Sequence, residues 1–289
     1  MSGRDSLRPT SDRVFATTRW VAVVIIPFLV IAAFLLYVFP TRTGELFAWP
    51  IDPPLTAYLL ASAYVGGVWF FLRVATTRRW HRVSRGFPAV VVFAGLLLIA
   101  TLLHLDRFSQ NLSFYTWLVL YATTPVIVAV LAVVQRREDP HVPEPADVTI
   151  PRAARIALAV IGAGALCVGL FAFIAPAAAV EVWAWQLTPL TARVTGAVLT
   201  LTGVVNAAML WDSRWSAFRV LFQAQLLSLV AIGLSLIVRR EDLLSERPAA
   251  PLFVALIVCA LLAYGGLTAW CQVRLRRARA ARTRVGAVA

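Results

Sequence analysis

Eight runs of about 20 apolar residues each, separated by short polar connections, dominate this chain. At ~1.5 Å per helical residue, each run is long enough to cross a ~30 Å hydrocarbon core. They fall at 20–40, 55–75, 87–105, 113–134, 153–175, 189–211, 218–238 and 251–272. Lipid offers backbone groups no water, so a spanning segment must satisfy its own hydrogen bonds. Barrel strands are shorter and alternate in polarity, whereas these runs are uniformly apolar. The expected fold is therefore all-α and polytopic. Composition agrees. The chain is 60% hydrophobic and 14% charged, against about 45–50% and 25% for soluble domains. The surplus has to face lipid.

Arginine placement sets the orientation. All 27 basic residues are Arg. With the N-terminus cytoplasmic, 21 arginines fall on the inner side and 6 on the outer. Both termini are therefore expected in the cytoplasm of a bacterial plasma-membrane protein. The run Trp20 to Phe39 is too long for a signal-peptide core and is followed by no small-x-small cleavage site, so it reads as a retained first span. An isoelectric point of about 11.2 does not imply nucleic-acid binding, because the arginines sit at helix ends and form no single basic face.

The chain also repeats itself. Ala48-Trp49-Pro50-Ile51-Asp52-Pro53-Pro54-Leu55-Thr56-Ala57 aligns, with one deletion, to Ala184-Trp185-Gln186-Leu187-Thr188-Pro189-Leu190-Thr191-Ala192. At an offset of 135, Arg79-Trp80 falls on Arg214-Trp215, Phe87 on Phe222 and Asp106 on Glu241. Self-similarity of this kind indicates duplication. Four spans per repeat is an even number, so the repeats should be parallel and related by an axis along the membrane normal. The expected organisation is an N-tail (1–19), a first four-helix repeat (20–134), a polar linker (135–152), a second four-helix repeat (153–272) and a basic C-tail (273–289). That tail, with Arg274, Arg276, Arg277, Arg279, Arg282 and Arg284, suits anionic headgroups.

The Trp phrase opens the second helix of each repeat at the outer face. Trp49 and Trp185 suit the membrane interface, Pro54 and Pro189 suit a first helical turn, and Thr188 is a candidate N-cap. A sharper alternative aims the two helix N-termini at one anion in an outer vestibule. The second helices are rich in small residues, which predicts close packing at the bundle centre. At the exit of the third helix, His104-Leu105-Asp106-Arg107 corresponds to Arg239-Arg240-Glu241-Asp242. His104 paired with Asp106 is a candidate small-molecule site. Arg193 is expected to reach Glu181, Glu241 or Asp242. Inside the membrane, Asn206, Gln223 and Gln225 form a candidate polar cluster, with Asn206 bonded to one of the glutamines. No acid lies mid-span, which disfavours a proton-driven pump.

No residue pattern points to a catalytic residue, metal site or cofactor. A single histidine near a span cannot supply a bis-histidine haem. Cys167, Cys259 and Cys271 lie in or beside apolar runs and read as small buried hydrophobes.

The run Phe47–Ala57, followed by Leu102-Leu103-His104-Leu105-Asp106-Arg107-Phe108 and Trp117, resembles a family of uncharacterised bacterial integral membrane proteins from GC-rich genomes. The resemblance covers mostly the first repeat. It implies a multi-span fold and carries over no catalytic residue.

Three functions follow as expectations. The first is binding or transport of a small molecule or lipid at the inter-repeat interface, through an outer mouth lined by Trp49, His104, Asp106, Trp185, Arg193 and Arg239. The second is an accessory or scaffold subunit. The third is a lipid- or quinone-linked membrane enzyme using His104 as base and Asp106 as its orienting group.

Overall fold

A computed structural model describes residues 11–286, without the side chains of residues 282 and 284–286. Arg4, Arg8 and the last three residues lie outside the described residues. Eight helices are long and apolar enough to cross a membrane. They are α1 (Ala16–Val38), α2 (Pro54–Thr76), α3 (Phe87–Leu103), α4 (Leu112–Gln135), α5 (Arg152–Ile174), α6 (Pro189–Ala207), α7 (Trp215–Val238) and α8 (Ala249–Gly286). Among the described residues there is no strand, and β-pairing is confined to isolated bridges.

Local sequence explains where the helices begin. Pro54 and Pro189 occupy first-turn positions of α2 and α6, where a missing N–H costs nothing. Thr188 caps α6 as expected, in a reciprocal capping box with Thr191. Asn111 caps α4 by accepting from the Phe114 N–H at 2.8 Å. The ends match the sequence reading to within a few residues, except for α8. Residues 273–286, expected as a separate basic tail, continue α8 without a break. They are rich in Ala and Arg, both strong helix formers, and contain no proline to stop the helix.

The chain before the linker and the chain after it interlock. α1 packs on α2 and α5 on α6; α3 packs on α4 and α7 on α8. Across the halves, α2 packs on α7 and α3 on α6, with α2 also touching α6. The second helices are central, as their small residues predicted. α2 is the most buried of the eight spans and α6 the next, while α8 is the least. A Cβ added at Gly66 of α2 would lie 2.8 Å from the Ala224 carbonyl of α7. One added at Gly169 of α5 would lie 2.7 Å from the Gly196 carbonyl of α6. Backbones this close need glycine. The outward faces carry large apolar side chains, such as Val24 and Ile31 on α1 and Leu256 and Leu262 on α8. Cys167 and Cys259 also face outward; only Cys271 is buried, because the sequence of an apolar run does not say which face meets lipid.

Backbone contacts at both ends recur along the chain. At the arginine-rich end, the Val14 N–H donates to Arg78 O and the Trp80 N–H to Asp12 O, both at 3.1 Å. The Ile150 N–H donates to Ser213 O at 2.8 Å and the Trp215 N–H to Val148 O at 2.9 Å. At the Trp-loop end, the Ser109 N–H reaches Ala48 O at 2.9 Å and the Leu244 N–H reaches Ala184 O at 3.0 Å.

Candidate functional site

At the Trp-loop end, the side chains expected to line a mouth are largely committed elsewhere. Trp49 and Trp185 are fully buried, with 1% and 0% exposure. Trp49 packs against Phe47, Phe108 and Trp117. Trp185 packs against Trp183 and Phe253, and its indole N–H donates to Thr56 Oγ1 of the other half at 2.8 Å. Neither ring is an interfacial anchor or a mouth residue. Each loop folds back over the bundle end, and an aromatic cluster replaces the headgroup region as its surroundings.

The two helix N-termini are likewise occupied by the chain itself. The N-cap of α2 is Pro53, which has no side-chain acceptor. Asp242 from the second half supplies one instead, taking the Leu55 N–H at 2.9 Å. α6 is closed by its own Thr188–Thr191 box. The paired N-termini therefore do not form an open anion vestibule.

The expected His104–Asp106 pair is not assembled. Asp106 is exposed and pairs with Arg107 at 3.1 Å. Adjacent residues on an exposed 3-10 turn meet each other more readily than either reaches back to the helix end. His104 instead meets Arg193 across the halves, with Nε2 2.6 Å from Nη1. Arg193 accordingly does not reach Glu181, Glu241 or Asp242. Arg239 takes Asp242 at 3.1 Å and Glu241 at 3.3 Å. Burial lowers the His104 pKa, and Arg193 and Arg107 lower it further, against an opposing effect of Asp106. A neutral imidazole is what an arginine N–H requires as acceptor. Among the described residues His104 therefore has no carboxylate partner to orient it.

The intramembrane polar residues also separate. Asn206 accepts from the Tyr264 hydroxyl at 2.7 Å and donates to Leu158 O at 2.8 Å. Gln223 accepts from the Trp69 indole at 3.3 Å, and Gln225 donates to Thr202 at 3.0 Å. The anticipated Asn206–glutamine contact is absent because Asn206 faces α5 and α8 and not α7.

At the opposite end lies a charge network that sequence reading missed. Arg214 is 5% exposed and holds two carboxylates at once. Its Nη1 and Nη2 each reach Asp139 at 2.8 Å, while Nε and Nη2 reach Asp212 at 3.0 and 2.6 Å. Arg85 joins through Asp212 at 2.9 Å. Burial would raise both carboxyls, but hydrogen bonds from Arg214 outweigh it. Asp139 is lowered and Asp212 falls to about 2. Nearby, buried His81 sits between Asp12 at 2.7 Å and Glu144 at 3.1 Å, and Glu144 also takes Arg82 at 2.6 Å. The linker, expected as an extended connection, is fastened by its acids to loops of both halves. The signal available was its four acids facing a side with 21 arginines. Among the described residues no group of three or more His, Cys, Asp or Glu gathers as a metal site.

Between the halves, from the middle of the helix bundle toward the arginine-rich end, lies a cavity of about 120 Å³. The first half contributes Leu29, Phe70 and Ala89, and the second contributes Val205, Leu221 and Ala224. The wall is almost wholly apolar. Its polar points are the Tyr64–Tyr121 hydroxyl pair, bonded at 2.9 Å, with Thr124, Gln225 and Ser228. Tyrosines 64 and 121 were the available sequence signal, being hydroxyls set in apolar spans. Apolar walls with a few convergent polar groups are the usual form of a small-molecule pocket.

Comparison with family models, with curated proteins and with solved structures finds no match to this chain.

Proposed function

We propose that this is a multi-pass protein of the bacterial plasma membrane, with both termini cytoplasmic, that binds or moves the apolar chain of a lipid or lipid-like small molecule between its two halves. One observation carries the reading: a cavity to which both halves contribute, lined by the long apolar helices. Its size approaches that of an apolar cavity that takes up benzene, ~150 Å³. The polar points suit an oxygen carried on an otherwise apolar ligand. Duplication of a four-helix unit is part of the proposal. The recurring backbone contacts at offsets of 135 and 136 and the matched α2–α7 and α3–α6 packing support it.

The test is cross-linking of a photoactivatable acyl-chain lipid to the full-length protein. The label is expected on peptides of α2, α3 and α7. Ala89→Leu and Val205→Phe, which fill the cavity, should each abolish it while the protein still elutes as a folded species. Labelling spread evenly over outward faces, and unchanged by both variants, would refute the cavity. The orientation has a separate check. Cysteines introduced at Ser109 and Glu246 should react with an impermeant reagent in intact cells, and reaction only after permeabilisation would reverse it.

A further inference from the structure

Next to the cavity, on its arginine-rich side, three helices bring together cations that form no ion pair among the described residues. Arg73 follows the cavity residue Phe70 by about one turn of α2, and Arg219 precedes the cavity residue Leu221 on α7. Arg279 comes from the continued part of α8. The Trp69–Gln223 bond at 3.3 Å sets α2 beside α7, with Arg73 and Arg219 each about one turn farther toward the arginine-rich end, and α8 packs on α7. Arg279, Arg73 and the loop residue Arg82 all act electrostatically on Arg219. The one carboxylate in this group is Glu144, which is already engaged with Arg82 and His81. Among the described residues, Arg73, Arg219 and Arg279 form no ion pair, whereas Arg85 and Arg214 at the same end are fully matched by acids. The Arg73 Nε is buried and has no hydrogen-bond partner. Its guanidinium lies 5.9 Å from the Trp69 ring, whose N–H in turn holds Gln223. Arg73 and Arg219 are half-buried and Arg279 is exposed beside them; like charges so placed repel unless an anion joins them.

We propose that Arg73, Arg219 and Arg279 bind a phosphate group, carried by an anionic lipid, part of whose chain enters the neighbouring cavity. Guanidinium forks match phosphate oxygens in pairs, and their weak hydration suits the membrane boundary. The proposal rests on the cavity reading and adds the headgroup class. Ordinary topological arginines would need only total charge. A site needs these three positions.

The experiment measures the melting temperature of the full-length protein in zwitterionic detergent during titration with phosphatidylglycerol, phosphatidylcholine of the same chains, or inorganic phosphate. Phosphatidylglycerol should stabilise more than phosphatidylcholine. Arg73→Gln with Arg279→Gln should raise its half-saturating concentration by about tenfold. Arg276→Gln with Arg277→Gln removes the same charge from an exposed stretch and should leave it unchanged. Arg279 is exposed, so Arg279→Gln alone serves if the double variant does not fold. Stabilisation by inorganic phosphate that equals the lipid's, and is lost in the same variants, would assign the phosphate to a soluble source. Phosphatidylcholine has the same phosphodiester with its charge cancelled by choline, so equal stabilisation by both lipids would overturn the anionic-lipid site and leave the cavity reading standing. Equal loss in the control pair would also overturn it. A loss of response to both lipids in Ala89→Leu, with inorganic phosphate still acting, would separate the chain site from the phosphate site.

Discussion

Trp185 donates its indole N–H to the hydroxyl of Thr56 at 2.8 Å, and both groups are buried. The bond ties the Trp loop of the second half to the first turn of the central helix of the first half. Its donor has no access to water, so it depends on that single acceptor. Thr56→Val keeps the volume and removes the acceptor. An unsatisfied buried donor costs about 1–3 kcal/mol. Thr56→Val should therefore lower the melting temperature measurably, and Thr56→Ser should restore most of the loss. Equal stability of wild type and Thr56→Val would mean that the bond contributes nothing.

The Arg214 clamp predicts an acid-labile fastening of the linker. Asp212 and Asp139 have lowered pKa values in the fold. Their contribution is thus fully present above the ordinary carboxylate range and disappears as pH falls through the folded value, about 2 for Asp212. A loss of stability on the order of 2 kcal/mol is expected between about pH 4 and 2 from Asp212. Arg214→Met leaves two buried carboxylates facing each other and should destabilise at pH 7 by about 3–5 kcal/mol. Limited proteolysis should then cut within residues 139–147 before it cuts the helices. Linker cleavage at the wild-type rate in Arg214→Met would contradict the clamp.

The His104–Arg193 contact should respond at milder pH. The lowered His104 pKa means that the fold disfavours its protonated form. Below about pH 6.5, the unfolded histidine takes up a proton that the folded one resists, so this contact loses strength as pH falls further. His104→Gln offers Arg193 a neutral acceptor that does not titrate. The fall in melting temperature between pH 7 and pH 5 should be smaller in His104→Gln than in wild type. Identical pH profiles would show that the contact is silent.

Much of the fold was legible because lipid imposes a length rule. The apolar runs located all eight helices, and Thr188-Pro189 located the start of α6. The small residues of α2 and α6 located the centre. The Trp loops were misplaced for a physical reason. An indole suits both a wet interface and a buried cluster, and hydropathy cannot separate the two. A clue was present at the same spacing: Phe47 and Trp117 recur as Trp183 and Phe253, and together they build the aromatic surroundings. The partners of Asn206 could not be read from sequence, since Leu158 and Tyr264 lie on helices whose order around α6 is set by the interlocking. For the same reason the cavity was invisible. Its wall is assembled from both halves, and no single helix carries more than an apolar face.

The interlocking of α2 with α7 has a consequence for biogenesis. When the first four spans have left the ribosome, Gly66 and its neighbours still lack their partner surface, and the α2 N-terminus still lacks Asp242. The nascent first half is then an incomplete intermediate, shielded only by lipid and the insertion machinery until the later helices are made. Expressed alone, residues 1–134 are expected to be degraded, and co-expression with residues 135–289 should rescue them. If each half accumulates stably alone, each completes its own packing and the dependence is absent.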